Sequence, residues 1–324
     1  MIPRIDVGCL FGEDGLQRRA ADHAIHQAAA DIGFILIHGL PDFVPLSPQQ
    51  LQPLKRIFTL APAQLRLLWR QKFAPEHPNV YRGWFPLQPG HATYKEGIDM
   101  GPDLAHGAQR VTADDPLREP TPLPEEALLP GWRSAAAEYY RSLEHTGQIL
   151  MRSIARGLAL PERAFDAHFE DGISTLRLIR YPARDVADPL SGVAHVDSGI
   201  VTLLAQDGVG GLQAKNRAGS WIDIPAADSA LVVNFGRLLE LWTGGSIRAT
   251  EHRVLSTGQE RYSIPFFFEP GVDALIAPLK GSAFAPFLYG DFVWASATQF
   301  VEFSGLEHLR PARGGALPTS IRTA

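Results

Sequence analysis

The sequence predicts an α+β fold: a helical, partly irregular N-terminal half packed on a sandwich or barrel of short strands. Three observations carry this reading. Apolar residues recur at helical spacing over residues 132–158, where Leu143, Leu150, Ile154 and Leu158 fall on one stripe. From Thr175 to Phe268 the period changes to short apolar runs: Leu176–Tyr181, Ile200–Leu204, Trp221–Ile224, Leu231–Phe235 and Tyr262–Phe268. Between these runs stand Asp207-Gly208, Gly210-Gly211 and Ala218-Gly219, the dipeptides that tight hairpin turns require.

The elements follow in order along the chain. Residues 15–32 are rich in Ala, Gln, Arg and His and stop at Gly33, which can take a left-handed C-terminal cap. Ser47-Pro48 reads as an N-cap with proline in the first helical position, opening a helix toward Leu60. Residues 71–130 are rich in proline and glycine and read as irregular. The long helical pattern begins at Trp132, and the strand series follows it. After Pro270, residues 284–303 can supply a last helix, and the tail from Arg310 to Ala324 is expected to be mobile. The expected division is 1–130 (helical and irregular), 131–170 (a long buttressing helix), 171–270 (the strand-rich core) and 271–324 (C-terminal helix and tail). No linker-like stretch separates these regions, so they are expected to form one compact unit.

Composition excludes several classes of function. With 30 Lys and Arg against 35 Asp and Glu, the net charge is −5, and no dense basic run exists to attract nucleic acid. The single cysteine, Cys9, leaves no intrachain disulfide and no thiolate metal cluster. The N-terminus lacks the basic-then-apolar pattern of a signal peptide, and no stretch reaches ~18 uninterrupted apolar residues. A cytoplasmic monomer with no membrane or nucleic-acid partner is the expected state.

The sharpest chemical feature is His195-Val196-Asp197. On a strand, residues i and i+2 project from one face, so the imidazole and the carboxylate can converge on one point. Alone the pair means little, since chance supplies on the order of one His-x-Asp in such a composition. His252 follows 55 residues later, and Arg261 and Ser263 form a second same-face pair. Two neutral imidazoles and one carboxylate are the facial ligand set of non-haem Fe(II) oxygenases, which leaves three metal positions open. An arginine on an inner strand face offers a rigid fork for a carboxylate, and the serine hydroxyl adds a donor.

Around these residues the chain resembles the isopenicillin N synthase-like, 2-oxoglutarate- and Fe(II)-dependent oxygenases. The likeness runs through His195-Val196-Asp197-Ser198-Gly199, Val209-Gly210-Gly211-Leu212-Gln213, Trp221-Ile222-Asp223-Ile224-Pro225, His252-Arg253-Val254 and Arg261-Tyr262-Ser263-Ile264-Pro265. It extends to Gly33-Phe34, His38-Gly39 and Lys95-Glu96-Gly97-Ile98-Asp99, and so covers most of residues 1–300. The resemblance implies a double-stranded β-helix (jelly roll) core, with Fe(II) held by His195, Asp197 and His252. It also implies 2-oxoglutarate as cosubstrate, its far carboxylate on Arg261 and Ser263, with Tyr181 within reach of it. Dioxygen would then oxidise a small organic substrate, hydroxylation being the expected outcome, with release of succinate and CO2. Two positions depart from the family pattern: Ile179 stands where many relatives have asparagine, and Arg237 follows Asn234-Phe235-Gly236 where many have aspartate.

Three other readings remain open. A jelly-roll binding protein would carry the histidines by coincidence. A zinc hydrolase could use two His and a carboxylate, although the chain has no His-Glu-x-x-His helix. Isopenicillin N synthase itself uses no 2-oxoglutarate and holds a substrate carboxylate with a similar Arg-x-Ser pair, so Arg261 and Ser263 call for a carboxylate without naming it. For the substrate mouth the candidates are Tyr81, Arg82, Trp84, Phe85 and Tyr94 in the irregular segment, and Phe268 beyond the Arg-x-Ser strand.

Overall fold

The structure is a computed structural model that describes residues 1–88, 94–184, 190–227, 229–279, 283–314 and 317–318. In chain order the strands are β1 (Arg4–Asp6), β2 (Phe34–His38), β3 (Gly83–Phe85), β4 (Glu96–Met100), β5 (Thr175–Tyr181), β6 (Leu190–His195) and β7 (Val201–Gln206). They continue with β8 (Leu212–Lys215), β9 (Trp221–Asp223), β10 (Leu231–Phe235), β11 (His252–Leu255) and β12 (Arg261–Phe268). Eight form a major sheet in the order β1-β2-β10-β7-β12-β5-β4-β3, and four form a minor sheet in the order β6-β11-β8-β9. Every pairing in them is antiparallel except β1 with β2. The two sheets make the double-stranded β-helix.

Strand alternation divides the apolar residues between two cores. Phe34, Leu36, Ile179, Tyr181, Leu204 and Val232 face the minor sheet and pack on Leu212, Ala214 and Val254. Their strand neighbours Ile35, Leu178, Leu203, Val233 and Phe266 face the other way, onto the helices. There the helix Trp132–Gly157 lays Leu143, Leu150 and Ile154 against the outer face of the major sheet. Each such side chain contributes roughly 1.5–3 kcal/mol on burial. Gly147 permits the close approach, because a Cβ there would lie 2.6 Å from the Phe268 ring. The helix is tied at both flanks: the Trp132 indole donates to Leu54 O (2.9 Å), and the Tyr140 hydroxyl to Ser174 O (2.8 Å).

The remaining helices arise as their local sequences dictate. Leu16–Asp31 is helical, and the chain leaves it through Gly33 at φ +68°. Ser47 and Gln50 form a reciprocal capping box on Pro48–Lys55, which tightens into a 3₁₀ turn over Arg56–Thr59. The last helix is shorter than 284–303, at Tyr289–Ala297. Two expectations change more substantially. The segment 71–130 is not merely irregular, since β3 and β4 extend the major sheet past β5. The sheet thus draws four strands from the first hundred residues and crosses the boundary expected at residue 171. Strands this short carry too few periods to be read alone; pairing with β5 creates them. The tail is also anchored at its start. Arg310 is buried and bonds Asp115 and Asp291, and the Asp291 carboxylate accepts the backbone N–H of Arg313 and of Gly314. Residues 315–316 and 319–324 of that tail lie outside the described residues, as does His91.

Candidate active site

The register of the minor sheet brings two distant histidines side by side. His195 closes β6, His252 opens β11, and the two are paired across the strands, with ring centroids 4.3 Å apart. Asp197 follows on the turn after β6. That turn is held by the helix Arg237–Trp242, whose first N–H groups donate to Asp197 O (2.8 Å) and Ser198 O (3.0 Å). Gly236 makes the junction possible, since a Cβ there would meet Gly199 O at 2.2 Å. Arg237, the departure noted in the sequence, therefore serves the turn through its backbone.

Hydrogen bonds aim all three side chains. His195 Nδ1 lies 2.8 Å from Val193 O and His252 Nδ1 lies 3.1 Å from Thr250 O, which assigns the proton to Nδ1 and leaves each Nε2 lone pair free. Asp197 Oδ2 accepts from the Thr202 hydroxyl (2.6 Å) and the Asn234 amide (2.7 Å). Its Oδ1 faces both imidazoles, 3.6 Å from His195 Nε2 and 3.7 Å from His252 Nε2. The three ligand atoms lie within 4.8 Å of one another, so they can hold one metal ion on one side. Burial opposes ionisation of Asp197, but His252, His195 and the Asn234 amide outweigh it and hold the carboxyl well below the usual carboxylate range. Burial, helped by His195, pushes His252 down to about 4, so its imidazole is neutral at pH 7, as a ligand must be.

Arg261 and Ser263 lie on β12 opposite Tyr181 and Ile179 of β5. Arg261 is 2% exposed, and none of its three guanidinium nitrogens finds a hydrogen-bond partner among the described residues. It stacks over the face of the Tyr181 ring, 4.9 Å away. A buried, unpaired guanidinium is costly, and here it marks a place built for an anion. Ile179 packs in the inter-sheet core, so the position where many relatives have asparagine offers no polar group. The donor set and the orphaned guanidinium fit a divalent metal with a chelating carboxylic acid.

The comparisons with known proteins agree with this geometry. Residues 172–270 match the family model of the 2OG-Fe(II) oxygenase superfamily. A 2-oxoglutarate-Fe(II) type oxidoreductase of Aspergillus fumigatus is 31% identical, covering 84% of this chain and 82% of that one. The chain belongs to the 2OG-Fe(II) oxygenase superfamily. Membership makes it an oxidoreductase, a non-haem oxygenase whose cofactors are Fe(II), 2-oxoglutarate and dioxygen and which acts on a small organic substrate. Isopenicillin N synthase of Streptomyces clavuligerus is 30% identical, covering 86% of this chain and 87% of that one. A full-length Neurospora crassa protein, solved in complex with alpha-ketoglutarate (2-oxoglutarate), superposes with a TM-score of 0.77 at 25% identity, over 90% of this chain and 94% of that one.

A cavity of about 420 Å³ opens over His195 and Asp197. Phe267, Val193, Val293 and Phe300 form its apolar wall, and Phe300 meets the His195 ring edge-on at 5.8 Å. Lys95, Asp99, Arg177, Glu269 and Glu302 form its polar wall. Of the residues expected at the mouth, Tyr81 lines the cavity, while the others are placed elsewhere. Arg82 is fully buried, donating to the Thr175 hydroxyl (2.5 Å) and Ile173 O (2.8 Å). Phe85 lies fully buried beneath the Arg177 and Arg70 guanidinia. Trp84 packs in the helix-side core. Tyr94 bonds Ser191 O through its backbone, its ring under Arg184. Phe268 points to the helices and stacks on Phe169 at 4.3 Å; strand alternation gives its neighbour Phe267 to the cavity.

Sequence reasoning missed the polar wall. Counting by twos from Tyr181 passes through Ile179 and Arg177 to Thr175, so Arg177 and Thr175 share the inner face; that signal was present. Nothing in the sequence pairs Arg177 with Asp99, whose carboxylate it grips at 2.5 and 2.7 Å while Arg70 bonds the same group. Thr202 was equally unmarked, and Asn234 stood out only as part of the family pattern, with nothing to tie it to Asp197.

Proposed function

We propose that this enzyme hydroxylates a small organic molecule, with His195 Nε2, Asp197 Oδ1 and His252 Nε2 holding Fe(II). Arg261 and Ser263 hold the far carboxylate of 2-oxoglutarate, with Tyr181 alongside. The observation that carries this reading is the buried Arg261 guanidinium, without a hydrogen-bond partner among the described residues, beside Tyr181 of the same inter-sheet core whose Phe34 packs on His252. Fe(II) and 2-oxoglutarate, when bound, supply dioxygen activation and hydrogen-atom removal, with succinate and CO2 released. The chain's own residues position and shield. Thr202 and Asn234 fix the Asp197 rotamer, the Val193 and Thr250 carbonyls fix the imidazole tautomers, and Phe267 and Phe300 keep water from the reacting carbon. The enzyme works as a monomer in the cytoplasm; no helix of the described residues is long and apolar enough to cross a membrane.

A second reading draws on the isopenicillin N synthase relatives. In it, Arg261 and Ser263 receive a carboxylate of the substrate itself. One experiment separates the two. Apo-protein under nitrogen receives Fe(II), then 2-oxoglutarate, and the visible charge-transfer band of the chelate is sought. Air is then admitted and succinate quantified, with His252→Ala as control. A band followed by slow succinate release that the variant lacks supports 2-oxoglutarate use. Iron binding with neither band nor succinate overturns it and leaves direct oxidation of a carboxylate-bearing substrate.

A further inference from the structure

The polar wall of the cavity distinguishes one class of substrate. Lys95 and Glu302 pair at 3.1 Å, and Arg177 pairs with Asp99, which Arg70 also bonds from behind. Three cations thus share two carboxylates at this end, leaving a surplus positive charge beside Arg177 and Lys95, the two that reach the cavity surface.

Glu269 stands at the other end of the wall and is 6% exposed. No ion pair reaches it among the described residues. Its Oε2 accepts a long hydrogen bond from the Thr175 hydroxyl (3.3 Å), which in turn accepts from Arg82. Its Oε1 faces Gly199, two residues past Asp197, with the buried Tyr289 hydroxyl beside it. Burial raises this carboxyl to about 7, because Arg82, one hydroxyl away, and the Tyr289 and Thr175 hydroxyls offset only part of the desolvation.

Thr175 and Arg177 are alternate residues on β5, about 7 Å apart along the strand. Glu269, bonded to the Thr175 hydroxyl, and Arg177 therefore face one cavity from neighbouring positions on one strand face, a carboxylate site beside a cationic one. A simple acid would satisfy Arg177 and leave Glu269 buried without a direct ion pair among the described residues. A simple amine would satisfy Glu269 and meet the surplus positive charge.

Building on the oxygenase reading above, we propose that the substrate is a zwitterion, a free amino acid with an apolar side chain. Its carboxylate binds Arg177 and Lys95, its ammonium binds Glu269, and its side chain lies along Phe267 and Phe300 toward His195. The C–H bond that reacts is then on the side chain, away from both charged ends.

The test is a binding measurement, independent of turnover. Full-length protein loaded with Mn(II) in place of Fe(II) is titrated calorimetrically with leucine, isoleucine, methionine and phenylalanine. Each is compared with its decarboxylated amine and its deaminated acid. At least one amino acid is expected to bind roughly tenfold or more tighter than both truncated forms, since each lost charge-assisted hydrogen bond is worth about that factor. Glu269→Gln is expected to weaken the amino acid roughly ten- to a hundredfold and to leave the deaminated acid nearly unchanged, a selectivity that misfolding would not produce. The proposal is overturned if no amino acid of the set binds, if a truncated form binds as tightly, or if Glu269→Gln weakens acid and amino acid alike. Succinate release reports separately on the cosubstrate. Amino acid binding without succinate sinks the 2-oxoglutarate reading alone, and succinate release without amino acid binding sinks this one alone.

Discussion

Replacing Arg261 by methionine should make the ligand-free protein more stable while removing its response to 2-oxoglutarate. The guanidinium is 2% exposed, has no hydrogen-bond partner among the described residues and lies 4.9 Å from the Tyr181 ring. That cation–π contact is worth about 1–2 kcal/mol when desolvated. Substituting buried ionic groups with apolar side chains of similar volume gains up to about 4 kcal/mol. With a melting entropy of ~2.1 cal/mol/K per residue, 1 kcal/mol moves the melting temperature of 324 residues by about 1.5 °C. After the lost ring contact is subtracted, the Arg261→Met protein should therefore melt up to roughly 3–4 °C above the wild type in buffer with Mn(II) alone. Adding 2-oxoglutarate at about a hundred times its Kd should raise wild type by ~2.7 kcal/mol, near 4 °C, and leave the variant unmoved. Differential scanning calorimetry at fixed protein and metal concentration reads both. A variant that melts below wild type without ligand would show that the guanidinium is already compensated in the fold. An undiminished ligand response would show that the cosubstrate is anchored elsewhere. Either result refutes the reasoning.

Four further substitutions have expected outcomes. Asn234→Ala should weaken metal binding about 10–100-fold by freeing the Asp197 rotamer, read by Co(II) or Mn(II) titration; a change under about twofold would deny Asn234 a positioning role. Asp99→Asn should cost about 3–5 kcal/mol in urea unfolding, because it strands the Arg70 and Arg177 charges together in a buried site. Burial would raise the Asp99 carboxyl, but Arg177 and Arg70 hold it down to about 2, below its ordinary 3.8. Its stabilisation is therefore complete above pH ~4 and lost as pH falls toward 2, and wild type should lose the advantage over Asp99→Asn across that window. Phe268→Ala should cost about 3–5 kcal/mol in stability, because its ring fills the space over Gly147 and Phe169. Phe267→Ala, on the cavity side, should cost less stability and more turnover, and the reverse order would mean the face assignment is wrong.

The site was legible in the sequence where its chemistry is carried by local spacing. His195 and Asp197 share a strand face because side chains alternate, and Arg261 and Ser263 do so for the same reason. The long helix and its cap residues were legible for a similar cause: the 3.6-residue period repeats over 26 residues and averages out exceptions. Short strands offer no such average. β3 and β4 exist because β5 has an open edge to pair with, and only the folded sheet supplies that edge. The choice between Phe267 and Phe268 shows the same limit, since a period of two divides a strand into two faces without saying which one looks into the cavity.

The sequence by itself determined the candidate ligand types, their order along the chain, the same-face pair Arg261 and Ser263 proposed for a carboxylate, and the family. The tertiary structure alone decided that His252 lies across from His195, that Asn234 and Thr202 hold Asp197, and that Arg82 is a buried structural group rather than a contact at the mouth. It also decided that Arg177, Asp99 and Glu269 line the cavity over His195 and Asp197. The physical reason is that these relations, apart from Thr202 with Asp197 five positions away, join residues about 30 to 100 positions apart. A covalent chain constrains such distances weakly. Sheet register and close packing constrain them to fractions of an ångström.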